Sequence, residues 1–273
     1  MIGIFSANHQ STVRGPQKVV LNLLKGLDLI NEPYKINSLG DLNGCLNSYK
    51  AFVNNLPSDT MMGPNLVVNP PDDVNLFNKF KKILVPSKFV MDNYYKFDEA
   101  KDTNIVIHPT GIDTDVWVED KTPTRDCLIY FKQREENELI LLKEKLDSLN
   151  ITYHVIKYGS YREEELKMKL TDVKFCILLT GTESQGIGYM EILSTNTPCF
   201  VYNFIYDDGK LYGASTPYFN EQCGIIYNGE ISKSDDDLIS FIDSLNSFTP
   251  REYIMSDFTL IKSAEKYIKL LKK

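Results

Sequence analysis

Short apolar runs alternate with amphipathic stretches along nearly the whole chain, and that alternation limits the folds open to it. Ile2–Phe5 is apolar, and residues 17–30 then place Val19, Val20, Leu23, Leu24 and Leu27 on one helical stripe. Residues 66–68, Lys82–Val85 and residues 105–108 read as further strands, with a helix from Ser87, a suitable N-cap, through Tyr95. In the second half, residues 128–131, 152–158, 175–179 and 199–203 read as strands. Helical patterns cover residues 135–149, 163–170, Ile187–Ser194, 236–245 and Leu260–Leu271, and residues 202–218 read as a long irregular connection. Strands separated by helices in this way pair in parallel and are covered on both faces. The expectation is an α/β chain of two doubly wound halves, parting near Pro109-Thr-Gly111, with ligands at the carboxyl ends of the strands.

Composition narrows the function. With 42% hydrophobic and 25% charged residues, the 273-residue chain has ordinary globular composition. A net charge of -7 disfavours a dedicated nucleic-acid binder, which needs a basic surface. No apolar stretch approaches the ~20 residues that span a bilayer, and the N-terminus lacks a signal-peptide pattern. Five scattered cysteines without CxxC spacing suit reduced thiols and a cytoplasmic location, with no stable membrane association expected. Lys79, Lys81 and Lys82 form a small basic cluster that reads as a solvated helix face.

The stretch from Glu183 to Glu191 carries the most chemistry. Two carboxylates flank Gly186 and Gly188, after an apolar strand and before a helix. A glycine turn lets a ligand approach the backbone, and a helix N-terminus favours phosphate. Glu191 falls about one turn into the helix, where it can reach a ribose, while Glu183 faces a sugar. Gly15 and Pro16 open an earlier helix, either as a second close approach for a diphosphate or as a plain helix start. Lys132 and Arg134 follow a strand and suit phosphate neutralisation, and the residues leave open which of the two acts. Asp113-Thr-Asp115 resembles a DxD metal motif, yet it reads better as a turn, and no metal or other cofactor is expected. His154 lies within a strand and reads as structural.

These segments, in this order, resemble the retaining GT-B glycosyltransferases of the family-4 (group 1) type. The matching stretches are residues 14–24 (glycine loop and first helix, with Pro16 in place of a second glycine) and Ile83-Leu-Val-Pro-Ser-Lys-Phe-Val90. They continue with His108-Pro-Thr-Gly-Ile-Asp113, the Glu183–Glu191 EX7E run and Asn196-Thr-Pro-Cys-Phe-Val201. The resemblance implies two Rossmann-like domains facing across a cleft, with a shortened N-terminal domain. These are an acceptor-side domain over residues 1–107, with the closing helix of residues 258–273 packing back on it, and a donor domain over residues 108–257. It implies transfer of a sugar from a nucleotide-diphosphate sugar to an acceptor hydroxyl, with retention and without metal. Glu191 would hold the ribose and Glu183 the donor sugar. Ser184, Gln185, Gly186 and Ile187 would line the donor, and Lys132 and Arg134 would stabilise the leaving group. His9, Asn65 and His108 are candidate cleft residues. Relatives present a histidine where Gly63-Pro-Asn65 stands, so the acceptor side departs from the pattern. The acceptor stays open among a glycan, a lipid-linked sugar, a protein and a modified base. A sugar-nucleotide epimerase of the same fold and a non-catalytic glycan- or nucleotide-binding protein are the alternatives.

Overall fold

The computed structural model describes residues 1–7, 15–47, 49–52, 54–64, 77, 79, 80, 82–209 and 212–273. The chain forms two compact units. Unit 1 comprises Met1–Asp113, Asp207–Tyr212 and Asp257–Lys273, and unit 2 comprises Thr114–Tyr206 and Gly213–Ser256.

Unit 1 is built on β1 (Ile2–Phe5), β2 (Tyr34–Ile36), β3 (Leu42–Cys45), β4 (Met61–Met62), β5 (Lys82–Val85) and β6 (Asn104–Ile107). They form a parallel sheet in the order β2-β1-β3-β4-β5-β6, which reverses direction between β1 and β3. Its helices are α1 (Gly15–Leu29), α2 (Tyr49–Phe52) and α3 (Lys88–Tyr95). Successive strand residues bury on opposite faces: Ile83 and Val85 join Phe80, Phe89 and Tyr94, whereas Leu84 joins Ile4, Val20, Leu27 and Tyr267.

Unit 2 follows the same plan. β7 (Arg125–Lys132), β8 (Tyr153–Lys157), β9 (Val173–Thr180), β10 (Cys199–Tyr202) and β13 (Gly224–Tyr227) form a parallel sheet ordered β13-β10-β9-β7-β8. The direction reverses between β7 and β9. The helices are α4 (Glu136–Ser148), α5 (Glu163–Thr171), α6 (Ile187–Ser194), α7 (Asp235–Asp243) and α8 (Pro250–Asp257). One sheet face buries Ile129, Phe131, Phe175, Ile177, Phe200 and Phe241.

The closing helix α9 (Leu260–Leu271) belongs to unit 1 and packs its Ala264, Tyr267, Ile268 and Leu271 with Val20, Leu23 and Leu27 of α1. Gly26 permits the close crossing, because a Cβ there would stand 2.6 Å from the Leu260 carbonyl oxygen. Thr259 caps α9 by accepting the Lys262 N–H at 3.3 Å.

Three departures from the sequence reading have physical causes. The first half holds more strands than the four expected, because β2, β3 and β4 are too short or too polar to show periodicity. Residues 202–218 are not wholly irregular: β11 (Ile205–Asp207) and β12 (Tyr212–Ala214) pair as a two-stranded sheet. The pattern read as one helix over residues 236–245 ends at Asp243, and a 3-10 turn, Leu245–Ser247, follows. The strand expected at residues 66–68 lies outside the described residues. Among the described residues, no helix is long and apolar enough to cross a membrane.

Candidate functional site

In unit 2 the strand order reverses between β7 and β9, and doubly wound sheets bind ligands beyond the carboxyl ends of the strands at such a point. β7 ends at Lys132, paired in register with Thr180 at the end of β9. The Gly181 N–H then donates to the Lys132 carbonyl at 2.8 Å. Gln133 turns the chain at φ 53, close against Gly181, where a Cβ would stand 2.7 Å from the Gln133 carbonyl oxygen. That close approach requires glycine.

The geometry brings Lys132 and Glu183 together at this point. Lys132 Nζ lies 2.7 Å from Glu183 Oε1 and 2.8 Å from Oε2. The two side chains are only 14% and 10% exposed, so the pair is largely removed from water. Burial pushes the Glu183 carboxyl above its ordinary value, and the Lys132 ammonium opposes that rise. Lys132 also lies 4.3 Å from the centre of the Tyr158 ring. The Glu183 N–H donates to the Ala214 carbonyl at 2.9 Å, and Ser215 Oγ donates to the Thr180 carbonyl at 2.9 Å, so the return from β12 braces the loop.

Arg134 stands apart from this pair. Its side chain is 8% exposed and forms a two-pronged ion pair with Glu138 on α4, with Nε at 2.8 Å from Oε2. Nη1 donates to the carbonyls of Thr180 at 3.3 Å and Tyr202 at 3.0 Å. The guanidinium thus ties the ends of β9 and β10 to the start of α4.

The glycine turn and helix form as the sequence indicates. Gly186 adopts φ 83 at the N-cap of α6, a left-handed conformation in which a Cβ would strike the Tyr189 ring. Tyr189 is pinned there by the Tyr218 N–H, which donates to its hydroxyl at 2.8 Å. The first-turn N–H groups of α6 lack intrahelical acceptors. Ile187 and Gln185 are buried, Ser184 is partly exposed, and the Gln185 amide lies 3.6 Å from Met190 Sδ. Glu191 sits in the second turn, 4% exposed.

Tyr130, absent from the sequence reading, stands beneath this turn. Its hydroxyl lies 3.3 Å from that of Tyr161, and a Cβ on Gly188 would come within 2.7 Å of it. Burial raises the phenol well above its ordinary value, and the charges of Glu183 and Glu191 add to the rise, which puts Tyr130 near both carboxylates. The strand period could have signalled it, since Tyr130 alternates with the core residues Ile129 and Phe131.

The remaining candidates fall elsewhere. Gly15 and Pro16 open α1 in unit 1, where a Cβ on Gly15 would meet nothing within 4 Å among the described residues. His108 is 1% exposed, its ring centre 5.6 Å from that of Tyr267, and burial lowers it to about 3. It is a neutral core residue. His154 pairs with Asp172 at 2.7 Å, the structural role expected for it. Asp113 pairs with Lys25 at 2.5 Å. His9 and Asn65 lie outside the described residues. Among the described residues, no group of three or more His, Cys, Asp or Glu is placed to hold a metal ion.

No protein-family model matches the chain, and no curated protein matches it. Solved structures do. The fold is similar to that of TarM, with a TM-score of 0.60 at 13% identity over 93% of this chain. The chain spans 58% of TarM's length. It is also similar to the lipopolysaccharide outer core galactosyltransferase WaaB, with a TM-score of 0.59 at 12% identity over 98% of both chains. WaaG, a glycosyltransferase involved in lipopolysaccharide biosynthesis, matches with a TM-score of 0.56 at 10% identity over 99% of both chains. At such identities the likeness carries the fold alone, and that fold is GT-B, with two Rossmann-like units.

Proposed function

We propose that the protein transfers a sugar from a nucleotide-diphosphate sugar to an acceptor hydroxyl. The observation that carries this reading is the Lys132–Glu183 pair at the switch point of the unit 2 sheet, beside the Gly186 turn and the N-terminus of α6. In the reaction, the bond from the sugar's anomeric carbon to the diphosphate oxygen breaks. A bond from that carbon to the acceptor oxygen forms, and the acceptor's proton passes to the departing diphosphate.

Glu183 accepts hydrogen bonds from hydroxyls of the donor sugar, and Glu191 accepts those of the ribose, each with charge assistance. Lys132 and the first-turn N–H groups of α6 stabilise the negative charge that develops on the diphosphate, a role that needs no metal. Ser184, Gln185 and Ile187 shape the donor contact around Gly186. Arg134 has its donors engaged by Glu138 and two carbonyls, so its part is to hold the strand ends beneath the site. Front-face displacement with retention fits a site in which neither glutamate is assigned as nucleophile.

A panel of nucleotide-diphosphate sugars, scored by thermal shift and by slow donor hydrolysis, tests the proposal. At 100-fold over the dissociation constant the right donor adds about 2.7 kcal/mol of stability. Glu183→Ala is expected to abolish both signals. Donor binding without hydrolysis or transfer favours a non-catalytic binding protein, and neither binding nor turnover with any donor overturns the transferase reading.

A further inference from the structure

Unit 1 bears a charged feature that the donor site does not use. Lys262, Lys266, Lys269 and Lys273 follow one another along α9 and just past its end. At 3.6 residues per turn they fall within an arc of roughly 60°, in a stripe about 16 Å long. Glu265 and Leu270 lie on the same open surface as these lysines. The opposite face of α9, with Ser263, Ala264, Tyr267, Ile268 and Leu271, is buried. Lys82 joins the stripe, because its Nζ donates to the Leu270 carbonyl at 2.6 Å. Lys82 and the lysines of α9, far apart in sequence, therefore meet on one surface.

Charge is segregated here. Residues 258–273 carry five lysines and one glutamate in a chain whose net charge is -7. Among the described residues, no ion pair within 4.0 Å involves Lys266, Lys269 or Lys273, although the Asp257 charge acts on Lys266, and all three are exposed. Like charges three and four residues apart destabilise a helix, and burying the apolar face of α9 does not require lysine at each of these positions. A merely solvated face would be served as well by mixed signs.

We propose that this face of unit 1 docks on the surface of an anionic lipid bilayer. The apolar side of α9 is committed to the core, so the helix does not insert, and the contact is electrostatic. A straight lysine stripe matches a plane of mobile headgroups, which rearrange around Glu265. A nucleic-acid duplex is the poorer fit, because its flanking phosphates would extend past the stripe toward an otherwise acidic chain. Each lysine near such a surface strengthens binding about fivefold, and salt screens the attraction within a Debye length.

Sedimentation of the full chain with vesicles tests the proposal. Binding is expected to vesicles containing phosphatidylglycerol and not to phosphatidylcholine alone, and about 0.5 M salt should release it. The combined variant Lys266→Glu, Lys269→Glu, Lys273→Glu, checked for folding by circular dichroism, should bind at least about 100-fold more weakly. Glu265→Lys should bind more tightly, which keeps the test informative if the triple variant fails to fold. No binding to anionic vesicles, binding that both sets of variants leave unchanged, or binding to RNA or polyphosphate but not to vesicles would each overturn the proposal.

Discussion

Lys132, at the end of β7, reaches Glu183, just past the end of the neighbouring strand β9, with Nζ at 2.7 and 2.8 Å from the two carboxylate oxygens. Each buried charge depends on the other. Lys132→Met should therefore strand the carboxylate and cost about 3–5 kcal/mol, read as a lower urea midpoint. Lys132→Met combined with Glu183→Gln should recover much of that loss, since the double variant buries no lone charge.

The pair also fixes a pH dependence. Burial raises the folded-state Glu183 carboxyl above the ordinary 4.5, so the folded protein takes up this proton at higher pH than the unfolded chain does. The contribution of this group to stability is therefore present at low pH and lost as pH rises through the folded value. Compared with Glu183→Gln, the wild type should gain stability on acidification in the window just above 4.5, measured by urea unfolding at a series of pH values. A difference that stays flat through that window would contradict the raised carboxyl.

Arg134 and Lys132 stand two residues apart in sequence and should fail differently. Arg134 holds Glu138 and the carbonyls of Thr180 and Tyr202, so Arg134→Met removes the ion pair with Glu138 and the Arg134 donor to the Tyr202 carbonyl, while the Thr180 carbonyl keeps the Ser215 hydroxyl. The expected loss is about 2–5 kcal/mol, with a correspondingly lower urea midpoint. Arg134→Lys should rescue little of it, because an ammonium cannot reproduce the planar fork. Donor affinity per folded molecule should change far less in Arg134→Lys than in Lys132→Gln, as measured by calorimetry with a donor found in the panel.

Gly188 and Tyr130 make a pair that a double-mutant cycle can read. Alanine in a helix gains up to about 1 kcal/mol over glycine. At Gly188, however, the added methyl would come within 2.7 Å of the Tyr130 hydroxyl oxygen. Overpacking of this kind costs about 1–3 kcal/mol, so Gly188→Ala should destabilise the wild type. In a Tyr130→Phe background the obstructing oxygen is gone, and the same change should be neutral or stabilising. Additive effects would mean that the helix start simply shifts away.

The parts visible in the sequence were those with local signatures. Residues 83–85 and Cys199–Tyr202 are continuous apolar runs, and the Gly186 turn announces itself because its left-handed backbone demands glycine. β3 was hidden because Leu42-Asn-Gly-Cys45 has poor strand formers at its centre. Gly44 is there for a distant reason, since a Cβ would collide with the Tyr267 hydroxyl on α9. At the site, the carboxylates and the strand-end cations could be picked out, but not which cation meets Glu183. That depends on β9 lying beside β7, and sheet order is a property of the whole fold. Tyr130 was missed for the same cause: its neighbours come from α6 and from the turn after β8.

His108 follows β6 in unit 1 as a neutral ring, 1% exposed, with no partner for its Nδ1 among the described residues. Burial is the main cause of its low value of about 3, and the charge of Lys266 adds to it. In the unfolded chain the same ring titrates near the ordinary 6.5, so below that pH the unfolded state binds the extra proton. Stability from this group is intact above 6.5 and is lost as pH falls, at up to about 1.4 kcal/mol per pH unit, or roughly 2 kcal/mol by pH 5. Urea midpoints at pH 7 and pH 5 should therefore lie closer together in His108→Asn than in the wild type. Nitrogen chemical shifts of the wild-type imidazole provide a check that does not depend on the variant folding, and at pH 5 they should still be those of the neutral ring.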